Sequence, residues 1–195
     1  MLPLFELVIN ENLENELEVN YIAGVDKPAI QKNFYAFKEQ QHRLSFAQVN
    51  EDERIVIGAA MVPDSPIPRK DDDGAEYFVF FSKETINTIA IKFFAKDFQK
   101  NFNIMHDPTQ VMDGVVFFQS FIKDSTKGVQ GMTGDYPDGT WFLGAKVYND
   151  AVWAKIKSGE IKGWSVEGMF GFKKENTSDE VTLAKIKSLL SETFE

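Results

Sequence analysis

Apolar and polar positions alternate irregularly over Leu4–Ile9 and again over Glu16–Val25, and both stretches are expected to be strands, with Pro28 closing the second. Residues 33–50 are mixed. Phe34, Tyr35, Phe37, Phe46 and Val49 suggest strand pieces joined through the polar Lys38–Arg43 stretch. A β-rich run from Arg54 to Val62 ends at Pro63, and Pro63, Pro66 and Pro68 predict an irregular connection. Lys70–Gly74 then reads as a turn before a strand over Glu76–Phe81, because its Asp-Gly pair supplies the positive φ that a hairpin needs. Ser82 is placed to cap a helix, and Ile86, Ile89, Ala90 and Phe93 recur at helical spacing, which predicts a helix over 83–98 with its apolar stripe facing the core.

In the second half, Val111–Ile122 is nearly apolar throughout and predicts a long strand covered on both faces. Residues 123–139 are glycine-rich, and a loop of this length in a compact domain is more often functional than idle. Thr140–Val147 is expected to be a strand. Asn149 caps a helix over Asp150–Ser158, Gly159 ends it, and a strand follows over Gly163–Phe172. After the polar stretch 176–180, Leu183, Ile186, Leu190 and Phe194 mark an amphipathic C-terminal helix over 176–195, whose apolar face packs on the body or on a partner chain. No internal repeat or second domain is visible, so residues 1–195 read as a single domain.

Composition narrows the function. With 21 basic and 30 acidic residues the net charge is −9, and arginine occurs only at Arg43, Arg54 and Arg69, which argues against a nucleic-acid surface. The absence of cysteine excludes a disulfide framework and any thiolate metal site. The aspartates Asp71, Asp72 and Asp73 lack the alternate spacing of a calcium loop, and no cofactor is expected. The N-terminus lacks a basic start followed by an apolar run, and no segment approaches the roughly 20 apolar residues that span a bilayer, so an intracellular protein without a membrane partner is expected.

Chemistry concentrates in two places. The only histidines are His42 and His106, and His42 sits among Gln40, Gln41 and Arg43, where a solvated side chain is expected. A hydroxyl nucleophile is inert until a positioned imidazole takes its proton, so nucleophilic chemistry points to His106 as base. Along the strand that begins at Gly163, alternation puts Trp164, Val166, Gly168, Phe170 and Phe172 on one face and Ser165, Glu167, Met169 and Gly171 on the other. Ser165 and Glu167 then share a side, roughly 6–7 Å apart at two strand steps, where they can flank one imidazole. On this pattern alone an ordinary strand serine beside an edge-strand charge remains the simpler account.

The run from Tyr77 to Phe172 resembles phage prohead (capsid maturation) serine proteases of the XkdF type, which are related to the herpesvirus assemblin. The pieces come in family order. They are Glu76 through Ser82 before a helix, Asn103-Ile104-Met105-His106-Asp107, the apolar strand Gly114–Ile122, and Gly139 through Val147. Last come the Val152–Lys157 helix ending in Ser158-Gly159, and Gly163-Trp164-Ser165-Val166-Glu167-Gly168. The stretch Tyr21–Ala29 resembles a strand that follows the serine in other prohead proteases. Here it precedes the serine, as in a circular permutation.

The resemblance implies an α+β fold, a small closed mixed β-barrel surrounded by helices. It implies a serine endopeptidase that cuts scaffold protein and major capsid protein inside the procapsid, in the bacterial host cytoplasm. It assigns Ser165 as nucleophile and His106 as general base. The relatives' third member, a Glu, aligns with Tyr21, which cannot serve as a carboxylate; Glu167 replaces it on geometric grounds, with Asp26 behind it. The glycine-rich stretch Gly128–Gly139 is expected to supply oxyanion donors. The last helix is expected to mediate a homodimer, as in assemblin. Two rival readings stay open: a catalytically inactive, protease-like virion assembly protein, and a small-ligand-binding barrel.

Overall fold

The structure is a computed structural model that describes residues 2–26, 46, 48–51, 53–131 and 135–174. Pro28, the apolar positions of 33–45, His42 and the C-terminal helix over 176–195 lie outside the described residues. Among the described residues, twelve strands and two α-helices follow in the order β1 (Leu4–Val8), β2 (Glu18–Val25), β3 (Gln48–Asn50), β4 (Ile55–Met61), β5 (Ile67–Lys70), β6 (Glu76–Phe80), α1 (Lys83–Ala95), β7 (Phe102–Ile104), β8 (Asp107–Val111), β9 (Val115–Ile122), β10 (Trp141–Val147), α2 (Asp150–Lys157), β11 (Gly163–Met169) and β12 (Gly171–Lys174).

The strands form three four-stranded sheets, ordered β12-β1-β6-β5, β3-β4-β10-β9 and β11-β2-β7-β8. Each mixed sheet holds one parallel pair: β1 with β6, and β2 with β7. The fold is therefore mixed α+β. Among the described residues no sheet closes into a barrel, in contrast to the single closed barrel expected from the resemblance. One apolar cluster serves all three sheets. Trp141, Phe142, Leu143, Phe102, Phe117 and Trp164 lie at its centre, and α1 adds Ile86, Ile89 and Phe93 from one stripe. Phe93 sets its ring edge-on against Phe98, Phe117 and Trp141, the arrangement that the ring quadrupoles favour.

Local chemistry explains why the helices fall where the periodicity predicts. The Ser82 side chain accepts from the Thr85 amide, and the Asn149 side chain accepts from both Ala151 and Val152, satisfying amides that a helix start leaves orphaned. Gly159, at φ 73°, follows the end of α2 in the left-handed conformation. The Asp71–Gly74 turn also forms, with the Asp71 side chain accepting from Asp73 and Ala75 and Gly74 at φ 82°.

Four expectations need correction. The connection through Pro66 and Pro68 is in part a strand, β5. It tolerates Pro68 because it is a sheet edge, where a missing N–H costs no ladder bond. The segment around His106 forms a hairpin, β7–β8, that the pattern does not announce. The long apolar strand β9 is not covered on both faces: it is an edge strand whose Val115 and Phe117 are buried while Phe118 is 50% exposed. Finally, the strand expected over Gly163–Phe172 breaks at Phe170, and its two halves join different sheets.

Candidate active site

The site begins with Trp164. Its indole N–H donates to the Leu143 carbonyl at 3.2 Å, and its rings are wedged among Phe46, Phe102 and Phe117. Burying this side chain locks the face of β11. By strand alternation, Ser165 must then turn to the opposite face. Ser165 is 4% exposed and lines a cavity of about 690 Å³.

Glu167 follows on the same face, and a bulge immediately after it shifts the register of the ladder with β2. Only glycine fits at the next position. A Cβ on Gly168 would lie 2.0 Å from the Glu18 carbonyl oxygen and 2.7 Å from the Val19 Cα, so the two backbones touch there.

His106 arrives from the other edge of the same sheet. Met105 and His106, at φ 54° and 57°, form the tight turn between β7 and β8, and the Met105 amide is held by the Gly24 carbonyl at 3.0 Å. Neither residue is glycine, so the turn carries backbone strain at the candidate base, and such strain is frequent at functional sites. The next residue, Asp107, braces the hairpin. Its carboxylate accepts from the Thr109 hydroxyl and amide and from the Gln110 amide group, and these bonds hold its pKa below the usual carboxylate range.

The three side chains meet. His106 Nε2 lies 2.9 Å from Ser165 Oγ, and His106 Nδ1 lies 3.2 Å from Glu167 Oε2. A carboxylate only accepts, so Nδ1 carries the proton it donates to Glu167. Nε2 is then left as the acceptor for the serine hydroxyl. This is the tautomer a general base needs. His106 and Glu167 are 39% and 36% exposed, so the imidazole sits at the mouth of the site and the serine behind it.

A fourth residue completes the chain. Asn103, on β7 and 1% exposed, donates its side-chain N–H to Glu167 Oε2 at 2.7 Å. One carboxylate oxygen thus accepts from both Asn103 and His106, which fixes its position relative to the ring. The other end of the Asn103 amide, Oδ1, is buried without a partner. The sequence reading missed Asn103. The available signal was a lone polar residue between two apolar ones, Phe102 and Ile104, because a buried amide is normally there to hydrogen-bond something.

The structure thus brings Ser165, His106 and Glu167 together. Asp26, the fallback, is exposed beyond the end of β2. Tyr21 lies directly opposite Glu167 on the β2–β11 ladder. Opposed residues of an antiparallel pair share a face, so the Glu167 carboxylate stands one strand over from Tyr21, the position where the resemblance implies a carboxylate. Among the described residues of the 123–139 loop none lines the cavity beside Ser165, and Gly139 packs on Lys83.

A family model described as "Putative phage serine protease XkdF" matches residues 44–173, which hold Ser165, His106, Glu167 and Asn103. No curated protein and no solved structure matches the chain. Among the described residues no helix is long and apolar enough to cross a membrane.

Proposed function

The chain belongs to this phage serine protease family, and from that premise we propose that it is a serine endopeptidase of phage head maturation, with Ser165 as nucleophile, His106 as general base and acid, and Glu167 as the group that orients the imidazole. The carrying observation is the 2.9 Å approach of His106 Nε2 to Ser165 Oγ. In the reaction, Oγ bonds to the scissile carbonyl carbon as its proton passes to Nε2. The C–N bond then breaks and Nε2 returns the proton to the leaving amine. A water attacks the resulting ester through the same base, and the second peptide leaves with the serine restored. Glu167 stabilises the imidazolium formed in each half without taking its proton.

The substrates in this reading are the phage scaffold protein and the major capsid protein, cut inside the procapsid in the host cytoplasm. The reading also carries an assemblin-like barrel in permuted order. Its support is that the N-terminal β2 pairs directly with the serine strand, Ala23 facing Ser165, and that β11 meets β4 where Gly58 faces Trp164. The spacing of Leu183, Ile186, Leu190 and Phe194 supports a homodimer through the C-terminal segment; a light-scattering mass that stays monomeric at all concentrations would contradict it.

Co-expression with the neighbouring scaffold and capsid proteins tests the substrates. Defined fragments, weighed by intact mass spectrometry, are expected with the wild type and not with Ser165→Ala. Intact partners in both cases would favour the inactive assembly protein.

A further inference from the structure

The cavity beside Ser165 is roofed by one face of the β12-β1-β6-β5 sheet. The register sets Ile67 opposite Val79 and Arg69 opposite Tyr77, and all four line the cavity together with Leu7 and Phe172. Its floor includes Ala60 and Met61 of β4 and the β11 residues around the nucleophile. The wall is thus mainly apolar, and the charged or ionisable side chains on it are His106, Glu167, Tyr77 and Arg69. Glu167 is already engaged by His106 and Asn103.

Arg69 is not engaged in the same way. One of its N–H groups donates to the Pro68 carbonyl at 3.0 Å, and among the described residues no ion pair includes it. The protein is net acidic and its other described arginine, Arg54, does pair, with Asp150 at 2.6 Å. Burial pushes the Arg69 guanidinium down from its ordinary value, and only the neighbouring Tyr77 acts against this. Arg69 is exposed at the edge of the cavity, and a guanidinium there with most of its donors unused is a receptor for a carboxylate, which matches its planar fork.

We propose that Arg69 selects the substrate. The cavity takes an extended peptide segment whose apolar side chain packs on Leu7, Met61, Val79 and Phe172, and whose acidic side chain pairs with the Arg69 guanidinium. The net negative charge of the enzyme opposes acidic peptides in general, so this contact discriminates by position. The inference rests on the endopeptidase reading of the same site, but it concerns recognition, which can be measured without chemistry.

The test is binding of fluorescein-labelled peptides to the whole chain carrying Ser165→Ala, read by fluorescence anisotropy. A short Ala/Leu peptide would carry one glutamate walked along its length, each version matched by a glutamine control. Glutamate at one position is expected to bind about tenfold tighter than glutamine there. Arg69→Gln should erase the difference, and Arg69→Lys should retain part of it, because lysine keeps the charge but not the fork. Equal binding of glutamate and glutamine at every position, a preference that survives Arg69→Gln, or no binding of any peptide would each overturn the proposal. A glutamate preference in a protein whose Ser165 does not react with a fluorophosphonate would leave Arg69 standing and remove the nucleophile instead.

Discussion

Two polar clusters lean on β2, one at each end, and they are built to opposite specifications. At the Glu18 end, Lys92 reaches in from α1 and is 2% exposed. Its ammonium donates to the carbonyls of Asn10, Asn12, Asn15 and Leu17 at 2.7–3.2 Å, and Glu18 stands 3.8 Å away. Three hydrogens are shared among four carbonyls of the β1–β2 connection, so the loop is tied to the helix and the buried charge is compensated on every side. Burial still pulls the pKa of Lys92 down, against the opposing pull of Glu18.

At the other end, the Ser165–His106–Glu167–Asn103 chain is only partly closed. Its imidazole is open to solvent, its longest link is 3.2 Å, its turn is strained and one buried acceptor is left orphaned. A saturated network has nowhere to move a proton and contributes to stability. A network with slack, exposure and an unsatisfied atom sits where chemistry would be done.

Lys92→Met should break the first cluster with the largest effect. Leaving the loop carbonyls without their donor is expected to cost about 3–4 kcal/mol of stability, while the activity of each folded molecule stays unchanged. Chemical denaturation paired with an active-site titration checks both halves, and a loss of specific activity would mean that the two clusters are coupled through β2.

Glu167→Gln should do the reverse. Without a negative charge behind the imidazolium, kcat is expected to fall about 100-fold with little change in melting temperature. A kcat within a factor of about two of wild type would reduce the site to a Ser–His dyad. Asn103→Ala should lower kcat about tenfold and leave KM alone, because it loosens the carboxylate without touching substrate. An equal rise in KM would show that Asn103 shapes the cavity and does not position Glu167.

The smallest effect lies away from both clusters. Hydrogen bonds from the Lys127 ammonium, then from the Thr126 side chain, hold the Asp124 carboxyl down at about 2, against 3.8 for the free group. A carboxyl depressed on folding contributes stability that is fully present above pH 3.8 and is lost as pH falls toward 2. Asp124→Asn should therefore flatten the acid limb of the stability curve slightly in that window. A shift of the curve near neutral pH would point to another group.

What the sequence disclosed depended on how local the determinant was. The Ser82 and Asn149 caps, the Gly159 stop and the Asp71–Gly74 turn act within a few residues, and each was legible. So was the shared face of Ser165 and Glu167, since alternation needs no partner strand, and His106 followed from the scarcity of histidine. The β7–β8 hairpin was hidden because its turn uses Met105 and His106 at positive φ where glycine or asparagine would have announced it. β5 was hidden by Pro68, which only a sheet edge excuses. The exposure of β9 and the role of Asn103 are set by which strand lies alongside, and no local pattern carries that.

The most direct test of the central claim is the intact mass of the chain after treatment with a fluorophosphonate. One adduct is expected on the wild type, mapped to Ser165 by peptide sequencing, absent from Ser165→Ala and formed far more slowly in His106→Ala. A folded wild type that stays unmodified, or one modified equally well without His106, would contradict the account of Ser165 as a nucleophile activated by His106.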